Sequence, residues 1–142
     1  MANYSFLVGK TIVAVFLAAD KKALKFEFSD GATQEAWCDG DCCSDTWIES
    51  LSLPAGGLPA KIMAVNDLPL REKEAEHGDL TQIYGLKITT PAGYLDLDFR
   101  NTSNGYYGGN LYWKGHGEYF YGGVYGQNRS EWNWQPVGEG VD

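Results

Sequence analysis

Positive charge is scarce in this sequence. Only 11 Lys and Arg stand against 19 Asp and Glu, so the formal net charge is −8. The arginines are Arg71, Arg100 and Arg129, and no basic run occurs. Because nucleic-acid backbones are bound by clustered Lys and Arg, we expect no nucleic-acid partner. A small phosphate-bearing ligand is still possible, since one arginine and a few backbone N–H groups suffice to hold it.

Long apolar runs are also missing, and the number of cysteines is odd. No apolar run approaches the ~18 residues that indicate a membrane-spanning helix, so we expect no membrane partner. The start, MANYSFLVGKTIVAVFLAAD, is interrupted by Gly9 and Lys10 and lacks a basic first region, which favours a strand over a signal peptide. The chain has 3 cysteines, an odd number that favours free thiols in a reducing cytoplasm.

Glycine and aromatic residues, in contrast, are plentiful. The 142 residues include 18 glycines and are 14% aromatic, which is typical of a turn-rich β domain. The length fits a single domain with its own core. The predicted fold class is α+β, mainly β, with an antiparallel sheet of about six strands, one short helix and a Gly/aromatic-rich C-terminal section.

Alternating and continuous apolar patterns place the predicted elements. KTIVAVFL (10–17) is apolar on both faces and predicts a central strand. Two hairpins are predicted, ALKFEF with TQEAW across the turn SDGA, and TQIYGLKITT with YLDLDFR across PAG. AKIMAV predicts a further strand, PLREKEAEHGD a solvated loop or hairpin tip, and DTWIESL a helix capped by Ser44.

The segment WCDGDCCSDTW (37–47) concentrates cysteines, acids and tryptophans. Its spacing does not match a structural zinc site, and Asp39, Asp41 and Asp45 do not follow the EF-hand pattern of a calcium site. Cys43 precedes the predicted helix, where a thiol is activated, but the sequence offers no evident base. The plain alternative is a rigid acidic turn between two packed tryptophans. We predict no catalytic residue, no metal and no cofactor.

A second segment, DFRNTSNGYYGG (98–109), combines groups that suit a nucleotide or a sugar-like ligand. A guanidinium pairs with phosphate, short amides and hydroxyls bind polar edges, and tyrosines offer flat faces for stacking. The structural alternatives are a tyrosine-rich turn and an interface between copies of the chain. The two segments together give the predicted ligand-binding residues, which are Trp37, Asp39, Asp41, Ser44, Trp47, Arg100, Asn101, Ser103, Asn104, Tyr106 and Tyr107.

Each of these segments follows a predicted strand, at Trp37 and at Arg100. Both could therefore lie at one edge of the sheet and face each other. This hypothesis places Arg100 near Asp39 or Asp41.

The words DGDCCSDTWIES and DFRNTSNGYYGGNLYW together resemble a family of small proteins of tailed bacteriophages, in which a DGDCCS…W segment precedes an RNxSNGYYGG segment. The likeness covers roughly Leu7 to Trp113, so residues 114–142 are interpreted as a C-terminal extension of the single domain. The resemblance implies a phage origin and the cytoplasm of an infected bacterial host.

By analogy with small phage proteins that oppose host defence, we expect a non-enzymatic homo-oligomer that sequesters a small anionic, nucleotide-derived immune signal. Two alternatives stay open. One is an inhibitor that blocks a host defence enzyme through its acidic and aromatic surface. The other is a Cys- or metal-dependent hydrolase.

Overall fold

The computed structural model describes residues 4–40, 45–74, 80–103, 109–116 and 132–138. Within these ranges the regular structure is β throughout, which confirms the mainly β prediction. The strands are β1 (Thr11–Ala18), β2 (Ala23–Phe28), β3 (Thr33–Gly40), β4 (Asp45–Ser52), β5 (Ala60–Lys61), β6 (Ala64–Glu74), β7 (Leu80–Thr90), β8 (Gly93–Ser103), β9 (Gly109–Trp113) and β10 (Trp134–Pro136).

The strands form two antiparallel sheets. Sheet A has the order β10-β1-β2-β3-β9, with β5 also paired to β1, and sheet B has the order β4-β8-β7-β6. The predicted central strand is β1, and both predicted hairpins are present as β2–β3 and β7–β8. Gly31 has a φ of 90° in the β2–β3 turn, a conformation that favours glycine, and the Asp30 carboxylate accepts the N–H of Ala32 at 2.9 Å.

The predicted helix DTWIESL is wrong, because this segment is strand β4. Ile48 lies opposite Phe99 and Leu51 lies opposite Leu97, with a bulge between Ile48 and Ser50. The bulge adds one residue, so two side chains three positions apart share the core-facing side of the strand. That spacing of three residues matches the apolar repeat of a helix. The segment is nevertheless a strand, because it pairs with β8 along its whole length.

Two further boundaries differ from the sequence-based expectations. AKIMAV is divided between the sheets, because the carbonyl of Ile62 accepts the N–H of Gly9 while the N–H of Met63 bonds to the carbonyl of Thr89. The charged segment 69–79 is partly strand, since β6 continues to Glu74 opposite Leu80 of β7. Its interpretation as the tip of a long hairpin therefore agrees with the β6–β7 pairing.

One hydrophobic core lies between the two sheets. Sheet A contributes Ile12, Val15, Leu24, Phe26 and Phe28, while sheet B contributes Ile48, Leu86, Ile88, Leu95 and Leu97. Because side chains alternate along a strand, these residues form the facing sides of the two sheets.

The connections from β3 to β4 and from β8 to β9 join the two sheets. The strands that they connect are paired with each other within each sheet. In sheet A, β3 and β9 are paired as far as Gly40 and Gly109. In sheet B, the pairing of β4 and β8 begins at Asp45 and Thr102. The strand ends that flank the two unusual segments are therefore neighbours at one corner of the fold.

The C-terminal segment adds to the outer face of sheet A. β10 pairs with Phe16–Ala18 of β1. The Trp132 ring lies 6.3 Å from that of Trp37 and 6.2 Å from that of Trp134. Ala18 and Ala23 are buried in the same cluster, and their small side chains leave room for the indoles. Trp132 and Trp134 thus cover part of this face.

Candidate functional site

A cavity of about 360 Å³ lies between the two sheets, with β9 of sheet A and β6 of sheet B among the strands that line it. β9 is an edge strand of sheet A and β6 is an edge strand of sheet B. The lining residues are Asp67, Leu68, Tyr84, Gly85, Leu86 and Phe99 from sheet B, Leu111 and Trp113 from sheet A, and Tyr4, which precedes β1. This volume lies within the range of roughly 300–1,000 Å³ that is common for small-molecule sites.

Aromatic rings form opposite walls of the cavity. Tyr84 and Phe99 are cross-strand partners whose rings stack, with centroids 4.9 Å apart and planes 9° apart. From the other sheet, Trp113 meets the Tyr4 ring edge to face at 6.1 Å. Flat faces of this kind bind planar ligands by stacking and cost little conformational entropy when they are already held in place.

The charged group of the lining is Asp67. It lies opposite Leu86, on the side of β6 that faces the core. Its Oδ1 accepts the hydroxyl hydrogen of Tyr4 at 2.8 Å. Burial, the hydrogen bond and the negative charge of Asp67 together raise the pKa of Tyr4, so the hydroxyl stays protonated and remains a donor. Among the described residues that line the cavity there is no Lys, Arg or His.

Gly85 of β7 leaves space for a side chain of β6 at the edge of the cavity. A Cβ atom at this position would lie 2.7 Å from Cδ1 of Leu68, its direct cross-strand partner. Glycine therefore lets the Leu68 side chain lie across β7, although Leu68 itself is 41% exposed.

Arg100 and Trp47, two of the predicted site residues, are cross-strand partners in sheet B. The guanidinium makes two hydrogen bonds to Asp98, at 3.2 and 3.3 Å. That contact raises the pKa of Arg100, and Glu49 adds a weaker attraction. The indole N–H of Trp47 donates to the carboxylate of Glu49 at 2.9 Å. Asp98 and Glu49 thus already compensate the arginine that was expected to bind phosphate.

Asn101 lies on the opposite side of β8 from Arg100, because successive side chains in a strand alternate. It is fully buried, and its Oδ1 accepts the hydroxyl of Thr46 at 2.7 Å. Arg100 and Asn101 therefore do not present their side chains to one ligand. The strand neighbour of Asn101 on the core side is Phe99, which lines the cavity.

The remaining predicted residues are not brought together in the described part of the chain. Trp37 is buried in the outer cluster of sheet A, with its ring 5.1 Å from that of Tyr112. The backbone of Asp39 pairs with Asn110 and that of Ser103 with Leu80, while the side chains of Asp39 and Ser103 lie outside the described part. The other predicted residues, Asp41, Ser44, Asn104, Tyr106 and Tyr107, lie outside the described residues altogether.

The described residues also bear on a metal site, on the cysteines and on a membrane-spanning helix. Within the described ranges, no group of three His, Cys, Asp or Glu side chains is arranged to hold a metal ion. Cys38 is half-buried and packs against the main core, as a small apolar residue does, whereas Cys42 and Cys43 lie outside those ranges. No helix in the part of the chain that the structure describes is long and apolar enough to cross a membrane.

Residues 5–113 match a protein family described as Domain of unknown function (DUF7448). The chain belongs to the DUF7448 family. No curated protein and no solved structure matches it. The DUF7448 match ends at Trp113 and so includes the cavity-lining residues of both sheets, but it excludes β10 and the tryptophans around it. Tyr4 lies one residue before the match begins.

Sequence reasoning missed the cavity, although two signals pointed to it. Tyr84 and Phe99 are aromatic residues in the two strands of a hairpin that was correctly predicted, and their register places them side by side. Asp67 follows Val65 by two positions and therefore lies on the same side of β6 as an apolar residue that packs against the core, although Asp67 itself is exposed. Tyr4 had no such signal, because it is 63 positions from its hydrogen-bond partner.

The buried pair Thr46–Asn101 generates a prediction on stability. Thr46→Val removes the donor to Asn101 while keeping the shape, and we expect a loss of about 1–3 kcal/mol in the free energy of unfolding. Thr102→Val, which removes a partly exposed contact to Thr81 at 3.0 Å, serves as the matched control with a loss below about 1 kcal/mol. Urea unfolding measures both. Equal losses would contradict a structural role for Asn101.

The contact between Tyr4 and Asp67 predicts a specific alkaline instability. The pKa of Tyr4 is raised above its ordinary value of 10.0, so above that pH the unfolded chain loses its proton first. Stability from this contact is complete below pH 10 and declines as the pH rises further. Tyr4→Phe has no proton to lose, so its unfolding free energy falls less between pH 9 and pH 11 in urea titrations. Tyr94→Phe, which changes a half-exposed ring elsewhere, should decline like the unaltered protein.

Proposed function

We propose that this protein binds a small nucleotide-derived molecule without changing it chemically. The observation that carries the proposal is the cavity between the sheet edges, which combines aromatic walls with one carboxylate. Ligand sites are commonly concave and mainly apolar, with a few polar groups that fix the orientation of the ligand. This cavity, more than the corner at Arg100, has that composition.

The nucleoside part of such a ligand fits the cavity. Its base would insert between the Tyr84–Phe99 pair and Trp113, where stacking contributes about 1–3 kcal/mol per base. Asp67 accepts hydrogen bonds and so suits a ribose hydroxyl or a base amino group.

The charge of the lining decides where phosphate groups lie. Because Asp67 is negative and the described residues of the lining include no cationic side chain, a phosphate beside Asp67 would be repelled. The phosphates therefore point out of the mouth, into water. In this proposal the ligand is still anionic, as the sequence-based hypothesis has it, but its recognition rests on the uncharged part.

The biological role that we propose follows from the phage resemblance. A phage protein that holds a nucleotide-derived immune signal in this cavity would lower its free concentration in the infected host. Sequestration requires only affinity and abundance, so no catalytic group is needed. A homo-oligomer would offer several such cavities.

A nucleotide panel tests the proposal. We expect the purified protein to bind at least one member of a set of cyclic dinucleotides and ADP-ribose derivatives by isothermal titration calorimetry. Native mass spectrometry should show the same complex and its oligomeric state, and the released ligand should have an unchanged mass. Chemical alteration of the ligand would instead support the hydrolase alternative.

Matched variants locate the binding site. Tyr84→Leu keeps apolar volume but removes a stacking face, and we expect a loss of affinity of about 5- to 100-fold. Tyr94→Leu makes the same change at a ring that is 51% exposed and is not part of the lining, so it should bind like the unaltered protein. Absence of binding across the panel, or equal losses in both variants, would overturn the proposal.

A further inference from the structure

We infer that the cavity selects planar rings that carry an amino group, and that Asp67 is the residue that selects them. The inference rests on the proposed binding function and narrows its ligand. It concerns the ring alone and therefore can be tested with molecules that have no phosphate.

The Asp67 carboxylate can accept a hydrogen bond from a ligand. An ionised carboxylate only accepts hydrogen bonds, and its two oxygens offer about four lone-pair sites. The Tyr4 hydroxyl uses one site on Oδ1. Among the described contacts, sites on Asp67 therefore remain for a second donor, and its side chain is exposed, so that a ligand can reach them.

The carboxylate discriminates between hydrogen-bond donors and acceptors on a ligand ring. An amino group that points at Asp67 forms a charge-assisted hydrogen bond, which is stronger than a bond between neutral groups. A carbonyl at the same position of the ring places oxygen against oxygen and is repelled. Adenine-like rings are thus favoured over hypoxanthine-like rings of the same shape.

Contacts of Tyr4 hold the carboxylate in position. Tyr4 holds Oδ1 at 2.8 Å while its own ring is held by Trp113 and by Phe6, whose centroid is 6.4 Å away. Phe6 in turn stacks on His116 at 3.8 Å. This chain of contacts fixes the orientation of Asp67, so Tyr4 acts as a positioning residue.

Adenosine and inosine are the probes, because the amino group on C6 of adenosine is a carbonyl in inosine, and the donor of inosine on that edge is instead the adjacent N1–H. Calorimetry on the full chain should show adenosine binding at least about tenfold more tightly than inosine. Asp67→Asn, whose amide both donates and accepts, should reduce this preference to about threefold or less. Asp96→Asn makes the same charge change at an exposed acid of β8 outside the lining and should keep the preference. Tyr4→Phe should weaken the preference partly while leaving the ring wall in place.

The outcomes separate this inference from the function on which it rests. Equal binding of adenosine and inosine, or binding of neither, overturns the selection by Asp67. A preference that persists in Asp67→Asn with unchanged circular dichroism overturns it as well. A clear adenosine preference that disappears in Asp67→Asn supports it, even when no nucleotide of the panel binds and the sequestration role alone fails.

Discussion

The fold depends on one constraint, which is that the strands joined by the two connections between the sheets are paired with each other in both sheets, β3 with β9 and β4 with β8. β3 and β9 are paired up to Gly40 and Gly109, and β4 and β8 resume at Asp45 and Thr102. The connection from β3 to β4 and the connection from β8 to β9 therefore link the same two pairs of strands. This arrangement brings the apolar faces of the sheets over one core, while β9 and β6 are each an edge strand of their sheet. The aromatic cavity lies between those edges.

The two unusual sequence segments are explained in part by that corner. The strand ends that flank them are paired in both sheets, Gly40 with Gly109 and Asp45 with Thr102. The groups in the described part that looked chemically active are already satisfied: Arg100 by Asp98, and Asn101 by Thr46. The cavity differs, because Asp67 has one described partner and acceptor sites to spare.

Local patterns were sufficient for the hairpins and for the central strand, since alternation and turn residues act over a few positions. They failed at β4, where a bulge gave Ile48 and Leu51 a helix-like spacing, and at Ile62–Met63, where one apolar run serves two sheets. The cavity was harder to predict because it is assembled from the N-terminal segment, β6, the β7–β8 hairpin and β9. Only the three-dimensional register brings Tyr4 to Asp67, and no local pattern encodes that meeting.

A crystal structure of the protein with adenosine tests the central claim most directly, because it locates the ring in space. The account predicts the base between the Tyr84–Phe99 pair and Trp113, with its amino nitrogen about 3 Å from a carboxylate oxygen of Asp67. A base bound instead at the outer face of sheet B, against Trp47 and Arg100, would contradict the account and return the site to the corner that the sequence first suggested.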